Sequence, residues 1–173
     1  MRLCDLEVLM LLQLKEVFQS DGHRLKFDYS LPMQDFEING DYPFKSPVKV
    51  SCTAVNRAGL VELSVNAVFD YTTRCDRCFD ELVEHMDFTF THGLAVSLID
   101  DENDDYIETP DYTLELDDVV ISDIILNLPS KMLCNEDCKG ICFKCGKNLN
   151  HGDCDCDKTP VDSRLEILKQ LID

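Results

Sequence analysis

The chain has 173 residues, 45% of them hydrophobic, and a formal net charge of −18 at pH 7. A chain of this size can bury one hydrophobic core, or can form one main domain with a small metal-stabilised appendage. The negative charge repels phosphate backbones at long range. It therefore argues against nonspecific nucleic-acid binding by charge alone and favours basic partners.

The first apolar stretch, from Asp5 to Phe18, has the spacing of a helix with a broad apolar face, and Ser20-Asp21-Gly22 ends it. The stretch contains Glu7 and Gln13 and is too short to cross a membrane. The chain start lacks the pattern of a secretory signal peptide. Together with cysteines that lie in ordinary polar or strand-like surroundings, these features predict a cytoplasmic protein whose thiols stay reduced.

From about residue 24 to residue 98, apolar and polar residues alternate as they do in β-strands. Strands are predicted at Arg24 to Leu31, Phe36 to Ile38, Val48 to Val55, Leu60 to Tyr71 and Glu81 to Phe90. The turn Asn56-Arg57-Ala58-Gly59 joins two of them into a hairpin. The apolar faces of the hairpin strands are predicted at Val48, Val50, Cys52, Ala54, Leu63, Val65, Ala67 and Phe69. Residues 1–99 are therefore predicted to form a mainly antiparallel β domain with an N-terminal helix.

Cys75 and Cys78 lie three positions apart, between two predicted strands. Such a pair can be half of a metal site, a redox pair or two half-buried thiols. A thioredoxin-type role needs the pair at the start of a helix beside a βαβ unit, and this antiparallel setting offers none. The pair is therefore predicted to form a structural thiol turn or a half-site. A thiol redox or metal-handling protein that uses these two cysteines is the alternative function.

Residues 100–111 are predicted to form an acidic, solvated loop, because residues 100–130 contain eleven acidic residues and no basic one. Asp117 is then predicted to cap a helix that runs to about Leu128, and Pro129 ends it. The predicted buried positions of this helix are Val119, Val120, Ile124, Ile125 and Leu128.

A Cys-rich segment, Leu133 to Cys156, contains six of the ten cysteines, at positions 134, 138, 142, 145, 154 and 156. Short cysteine spacings deliver pairs of thiolates from one tight turn, as structural zinc requires, whereas the spacings match no ferredoxin-type cluster. The tightest run predicts a zinc site at Cys134, Cys138, Cys142 and Cys145. Alternatively, Cys154 and Cys156 pair with the last two of these, and Cys75 and Cys78 then form a half-site of a second centre.

This zinc is predicted to be structural rather than catalytic. A catalytic zinc keeps one position for water and usually has histidine or carboxylate ligands, which an all-thiolate shell fits poorly. The chain also has no Gly-rich phosphate loop and no Ser/His/Asp constellation. We therefore predict a protein that is not an enzyme and takes no small-molecule substrate. The locally basic positions Lys131, Lys139, Lys144 and Lys147 are either contacts to RNA or solubilising residues.

The last predicted element is a helix from Ser163 to Ile172, entered through a turn at Thr159 to Asp162. Residues 112–173 are thus predicted to comprise a helix, the Cys-rich zinc segment and a terminal helix. With the β domain before them, they predict an α+β protein.

The order of these motifs resembles the YceD family of bacterial proteins. The resemblance rests on Cys75-x2-Cys78 after the hairpin, Ile125 to Pro129, Leu133 to Asn150, and Arg164-Leu165 before the last helix. It implies a non-enzymatic factor that supports accumulation of large-subunit (23S) ribosomal RNA. Its implied partners are a precursor of the large ribosomal subunit, ribosomal RNA or a basic ribosomal protein, with Lys139, Lys144, Lys147 and Arg164 as contact residues. One departure is Val161 to Arg164, where the family pattern has Asp-Pro-Arg.

Overall fold

The computed structural model describes residues 10–97 and 106–156. Within them the protein is mostly β with few helices, and no helix is long and apolar enough to span a bilayer. The described residues form two compact units. The first unit runs up to Thr73 and from Leu82 to Ser130, and the second contains Arg74–Glu81 and the residues from Lys131 onwards.

A five-stranded sheet dominates the first unit, with the strands in the order β2-β3-β4-β5-β6. The strands are β2 (Arg24–Leu31), β3 (Val48–Arg57), β4 (Leu60–Arg74), β5 (Glu81–Ala95) and β6 (Tyr106–Glu108). β3 pairs antiparallel with both β2 and β4, and β6 pairs parallel with the end of β5. Four of the predicted strands are thereby confirmed. The fifth, at 36–38, is reduced to a single bridge between Ile38 and Asp41.

The hairpin of β3 and β4 provides the core of the sheet. Its eight predicted inward positions are all buried, at 3% exposure or less. Burying a side chain of valine or leucine size contributes roughly 1.5–3 kcal/mol, so this face is the main stabilising element of the unit. Ala58 and Gly59 both have positive φ, as the two-residue turn that suits twisted strands requires.

The N-terminal segment differs from its prediction. Leu11–Gln13 form strand β1, which pairs antiparallel with β7 (Thr113–Glu115), and only Lys15–Gln19 form a helix, α1. The predicted helix is therefore wrong at 11–13, and residues 5–9 lie outside the described part. The physical reason is that β7, about a hundred residues away, provides hydrogen-bond partners for the backbone of this stretch. Its buried residues, Leu12 and Leu14, are also two positions apart, as in a strand.

The acidic loop is also shorter than predicted. Residues 100–105 lie outside the described part, but β6 and a short 3-10 helix, Pro110–Tyr112, occupy most of the remainder. Thr109 is fully buried between them, and both its backbone N–H and its hydroxyl donate to the carbonyl oxygen of Ala95, at 2.7 and 2.9 Å. Hydrogen bonds to the sheet thus order residues that charge alone would leave solvated.

The predicted helix is confirmed as α2, Leu116–Asn127. Asp117 is not its cap, however. It lies inside the first turn, is buried, and accepts a hydrogen bond from the Met10 N–H at 2.9 Å. The fully buried stripe is Leu116, Val120 and Ile124, spaced four apart. The predicted burial of Ile125 is wrong, because that side chain is 40% exposed.

Candidate metal centres

Eight cysteines of the second unit form two groups of four. In each group, all four sulfur atoms lie within 4.8 Å of one another. We call them the first cluster (Cys75, Cys78, Cys134 and Cys138) and the second cluster (Cys142, Cys145, Cys154 and Cys156).

The first cluster joins two loops that are far apart in sequence. The loop between β4 and β5 provides the pair Cys75 and Cys78, in a turn that the Phe79 N–H closes on the Cys75 carbonyl at 2.9 Å. Two hydrogen bonds hold this loop against Met132, the residue just before the Cys-rich segment. Asp76 N–H donates to the Met132 carbonyl at 2.9 Å, and Met132 N–H donates to the Asp76 carboxylate at 2.7 Å.

The sulfur positions of the first cluster fit a tetrahedral zinc site. Four thiolates at about 2.3 Å from one ion stand about 3.8 Å apart from one another. The Sγ atoms of Cys75 and Cys138 are 3.7 Å apart, and those of Cys78 and Cys134 are 3.6 Å apart. The side chains of Cys75, Cys78 and Cys138 are at most 5% exposed, so the cluster is closed to solvent on most sides.

Side-chain amides surround the first cluster. Asn150 Nδ2 donates to the Cys138 sulfur at 3.3 Å, while its Oδ1 accepts from the Lys139 N–H at 2.8 Å. Asn148 Nδ2 donates to the Asp80 carboxylate at 2.8 Å, and the Cys78 thiol donates to the same oxygen at 3.3 Å. Such outer groups orient metal ligands, and the Asn150 donor also stabilises negative charge on the Cys138 sulfur.

Thiolate character in the first cluster is uneven. Burial opposes ionisation of Cys75, but backbone N–H donors from Cys134, Cys78 and Arg77 outweigh it and lower the Cys75 pKa to about 6. The Asn150 amide is the main cause of a lowered pKa at Cys138. Burial raises the pKa of Cys78. Hydrogen bonding with Cys138 raises the pKa of Cys134. Negative charge is therefore favoured on Cys75 and Cys138 over the other two sulfurs.

The second cluster is a hairpin within the Cys-rich segment. The Gly146 N–H closes one turn on the Cys142 carbonyl at 2.8 Å, and the Cys142 N–H donates to the Lys147 carbonyl at 2.8 Å. Lys147 Nζ donates to the Asp153 carbonyl at 2.6 Å, and this bond fixes the chain just before the last two cysteines. Cys145 is exposed, so this cluster is the more accessible of the two.

Backbone amides also polarise the second cluster. The N–H groups of Cys145 and Lys144 point at the Cys142 sulfur and lower its pKa to about 6. Hydrogen bonding with Cys145 raises the pKa of Cys156 to about 12. Cys142 is thus the counterpart of Cys75 in the first cluster, because its sulfur favours the thiolate form that a metal needs.

The favoured quartet of the sequence analysis does not meet at one point. Cys134 and Cys138 lie in the first cluster, whereas Cys142 and Cys145 lie in the second. Gly140 separates the pairs, with φ at +72° and a position so close to Arg77 that a Cβ would lie 3.0 Å from the Arg77 carbonyl oxygen. The next N–H, of Ile141, donates to that same oxygen at 3.1 Å. The chain therefore turns sharply at Gly140 and carries the two pairs into different clusters.

The predicted contact residues have different environments. Lys139 and Lys144 are exposed, as is Lys131, and Lys147 uses its ammonium group to brace the second cluster. Arg164 and the predicted terminal helix lie outside the described residues. Sequence reasoning missed the structural roles of Asn150 and Asp80, although an asparagine after a metal knuckle is a signal that could have been weighed.

The two cysteine turns have the same backbone shape but different residues at one position. The residue after the second cysteine has positive φ in both, +72° at Gly146 and +63° at Phe79. Glycine adopts this conformation freely, whereas a bulky residue there costs roughly 1–2 kcal/mol. The first turn nevertheless has Phe79 at this position, with 59% of the residue exposed.

Comparisons with known proteins identify relatives of this chain. A family model described as "Large ribosomal RNA subunit accumulation protein YceD" matches residues 63–172. The chain is 30% identical over 152 residues to "Large ribosomal RNA subunit accumulation protein YCED homolog 1, chloroplastic" of Arabidopsis thaliana, an alignment that covers 70% of this chain and 47% of that protein. It is 27% identical over 81 residues to an uncharacterized protein of Mycobacterium leprae (strain TN), covering 44% of this chain and 37% of that protein. The chain thus spans about half or less of these curated relatives. No solved structure matches.

Proposed function

The chain belongs to the YceD family, and from that premise we propose that it supports accumulation of the 23S ribosomal RNA of the large ribosomal subunit. The match over residues 63–172 is the observation that carries the proposal, because it includes most of β4, all of β5 and α2, and all eight clustered cysteines. The proposed site of action is the cytoplasm, where thiols stay reduced and available to a metal ion.

We propose that each cluster holds one structural zinc ion. The donor set supports this, since four thiolates at tetrahedral spacing are the preferred ligands of structural zinc. Four sulfurs fill the tetrahedron and leave no position for a water molecule or a substrate. The zinc would then fix the shape of the second unit without reacting, and the protein would act as a non-enzymatic factor.

The charge of the chain supports a basic protein as the direct partner. Residues 100–130 contain eleven acidic residues and no basic one, within a net charge of −18. A zinc ion bound by four thiolates carries a formal charge of about −2, so a metal-loaded cluster does not offset this acidity. Such a field attracts a ribosomal protein rich in lysine and arginine and repels bare RNA.

The redox alternative has less support from the geometry. Cys75 has the lowered pKa that a nucleophile needs, but its side chain is fully buried, and its sulfur lies 3.7 Å from a thiol of the other loop. A redox pair must reach its substrate. Alkylation by iodoacetamide at neutral pH separates the two functions. Fast modification of Cys75 or Cys78 in the metal-loaded protein would favour the redox role, and protection until a chelator is added would favour zinc.

The test of the main proposal is depletion of the protein in cells, followed by measurement of 23S relative to 16S ribosomal RNA. We expect a selective fall of the 23S species and recovery with the wild-type gene. We also expect the protein to sediment with precursors of the large subunit at low salt. Unchanged 23S accumulation in depleted cells would refute the proposal.

A further inference from the structure

The two clusters differ in how far solvent reaches their cysteines. Three cysteines of the first cluster are at most 5% exposed, and the fourth, Cys134, is partly exposed. In the second cluster only Cys142 is buried, Cys154 and Cys156 are partly exposed, and Cys145 is exposed. A small oxidant in solution therefore has freer access to the second cluster, and above all to Cys145.

We propose that the second cluster is an oxidation site for peroxides, at which Cys145 and Cys142 form a disulfide and one zinc ion is released. The inference rests on the zinc occupancy proposed above, and it adds a reaction that one of the two centres undergoes before the other. Burial counts against redox chemistry at Cys75, and exposure favours it here. Cysteines that oxidise readily are accessible thiolates with a second thiol close by.

The reaction balances with a peroxide as the oxidant. The Cys145 thiolate attacks one oxygen of hydrogen peroxide, the O–O bond breaks, and a sulfenic acid and a hydroxide form. The Cys142 thiolate then attacks the Cys145 sulfur, the S–O bond breaks, and a second hydroxide leaves. Two protons from solvent convert the hydroxides to water. The two thiolates lose two electrons in total, and the zinc ion loses two of its four ligands.

Cys142 is a suitable partner for Cys145 because both belong to one tight turn. Their sulfur atoms lie within 4.8 Å of each other, and the Gly146 N–H closes the turn on the Cys142 carbonyl at 2.8 Å. The disulfide therefore joins two side chains that are already adjacent, and it requires no approach of distant chain segments.

The bonds that brace the second cluster are local. Cys142 N–H donates to the Lys147 carbonyl at 2.8 Å, and Lys147 Nζ donates to the Asp153 carbonyl at 2.6 Å. At the first cluster, by contrast, the Arg77 guanidinium donates to the Cys138 carbonyl at 3.0 Å and ties one loop to the other. Oxidation of one turn therefore loosens the hairpin of the second cluster and leaves the bonds between the loops of the first in place.

The test uses the full-length, zinc-loaded protein, graded hydrogen peroxide and a colorimetric chelator that reports free zinc. We expect native mass spectrometry to find two ions before oxidation, and peroxide then to release one of them at least about 10-fold faster than the other. Peptide mapping after alkylation should place the first disulfide at Cys142 and Cys145. Dithiothreitol and added zinc should restore the released ion, because thiols reduce an accessible disulfide by exchange.

Two lysine variants identify the faster ion independently of the mapping. Lys147→Met and Lys144→Met each remove one positive charge from the same hairpin, but only the first removes the bond to Asp153. We expect Lys147→Met to accelerate the faster release a further 2- to 10-fold or so, roughly the effect of one hydrogen bond, and Lys144→Met to behave as the wild type. Acceleration of the slower release by Lys147→Met would overturn the assignment.

Three other results would overturn the inference. They are release of both ions at one rate, a first disulfide within the first cluster, and release of the faster ion while Cys145 stays a free thiol. A protein that binds two ions and loses them together refutes the oxidation site alone. A protein that binds no zinc before peroxide is added refutes the proposed zinc occupancy as well, and neither result depends on measurement of 23S accumulation.

Discussion

Substitution of Cys75 by serine separates the two possible groupings of the thiols. In the structure Cys75 belongs to the first cluster, whereas the favoured quartet of the sequence analysis does not include it. Structural zinc sites contribute about 10–16 kcal/mol of apparent binding free energy. Loss of even a third of it, roughly 4 kcal/mol, weakens affinity about 10³-fold, because each 1.4 kcal/mol is a factor of ten.

We therefore expect native mass spectrometry to find two zinc ions in the wild-type protein and one in Cys75→Ser, with the second cluster still loaded. Cys145→Ser should give the reciprocal result and leave the buried first cluster intact. Cys52→Ala is the matched control, since Cys52 is buried in the sheet and belongs to neither cluster.

Two outcomes would refute this reasoning. A wild-type protein that binds one ion, lost in Cys145→Ser but retained in Cys75→Ser, would restore the quartet of Cys134, Cys138, Cys142 and Cys145. A reduced protein that binds no ion while the Cys-rich segment keeps its native amide exchange protection would remove the metal from the account altogether.

Three further predictions follow from individual contacts. Asn150→Ala removes the amide donor to Cys138, so we expect the first cluster to lose zinc to a chelator about 10- to 100-fold more readily, while Asn127→Ala does not change this. Gly140→Ala should destabilise the second unit more than Gly146→Ala, because only at Gly140 does the added methyl group meet a backbone oxygen. Gly146→Ala imposes only the backbone strain of a positive φ, roughly 1–2 kcal/mol. Equal chelator sensitivity of the two variants would contradict this. Burial raises the pKa of Cys52 from 9.0 to about 12, so its contribution to stability is complete below pH 9 and is lost as the pH rises towards 12, since the unfolded chain ionises first. Urea midpoints should therefore fall above about pH 9, and less steeply in Cys52→Ala; equal slopes would refute the assignment.

Local patterns were sufficient for the hairpin and for α2. The alternating residues of β3 and β4 are neighbours in sequence and in space, so period and turn chemistry predict both strands and their buried faces. The helical period likewise predicts the buried side of α2. It does not predict how many positions that side includes, because Ile125 is exposed.

Long-range pairing was beyond local patterns. The run from Leu11 to Leu14 is apolar enough for a helix, and only its pairing with β7 makes part of it a strand. The structure divides the predicted zinc quartet between two clusters for a related reason. Sequence spacing groups the cysteines that are nearest in the chain, whereas Cys138 contacts Cys75, which is 63 positions away. The sequence alone does not show that the chain turns at Gly140 to separate the two pairs, because the turn depends on the nearby Arg77 carbonyl.

The cysteines of the second cluster are close together in sequence, whereas those of the first come from two distant parts of the chain. The two clusters therefore have different roles in folding. The second cluster closes a loop within 15 residues of sequence, from Cys142 to Cys156, and can form from the Cys-rich segment alone. The first must bring Cys78 to Cys134 across 56 positions, which costs more chain entropy and requires both loops to be in place. Its hydrogen bonds between Asp76 and Met132 offset part of this cost, and metal binding at the four sulfurs would offset the larger part. Metal at the first cluster therefore reports that the loop between β4 and β5 has docked on the Cys-rich segment, whereas metal at the second reports only a local hairpin.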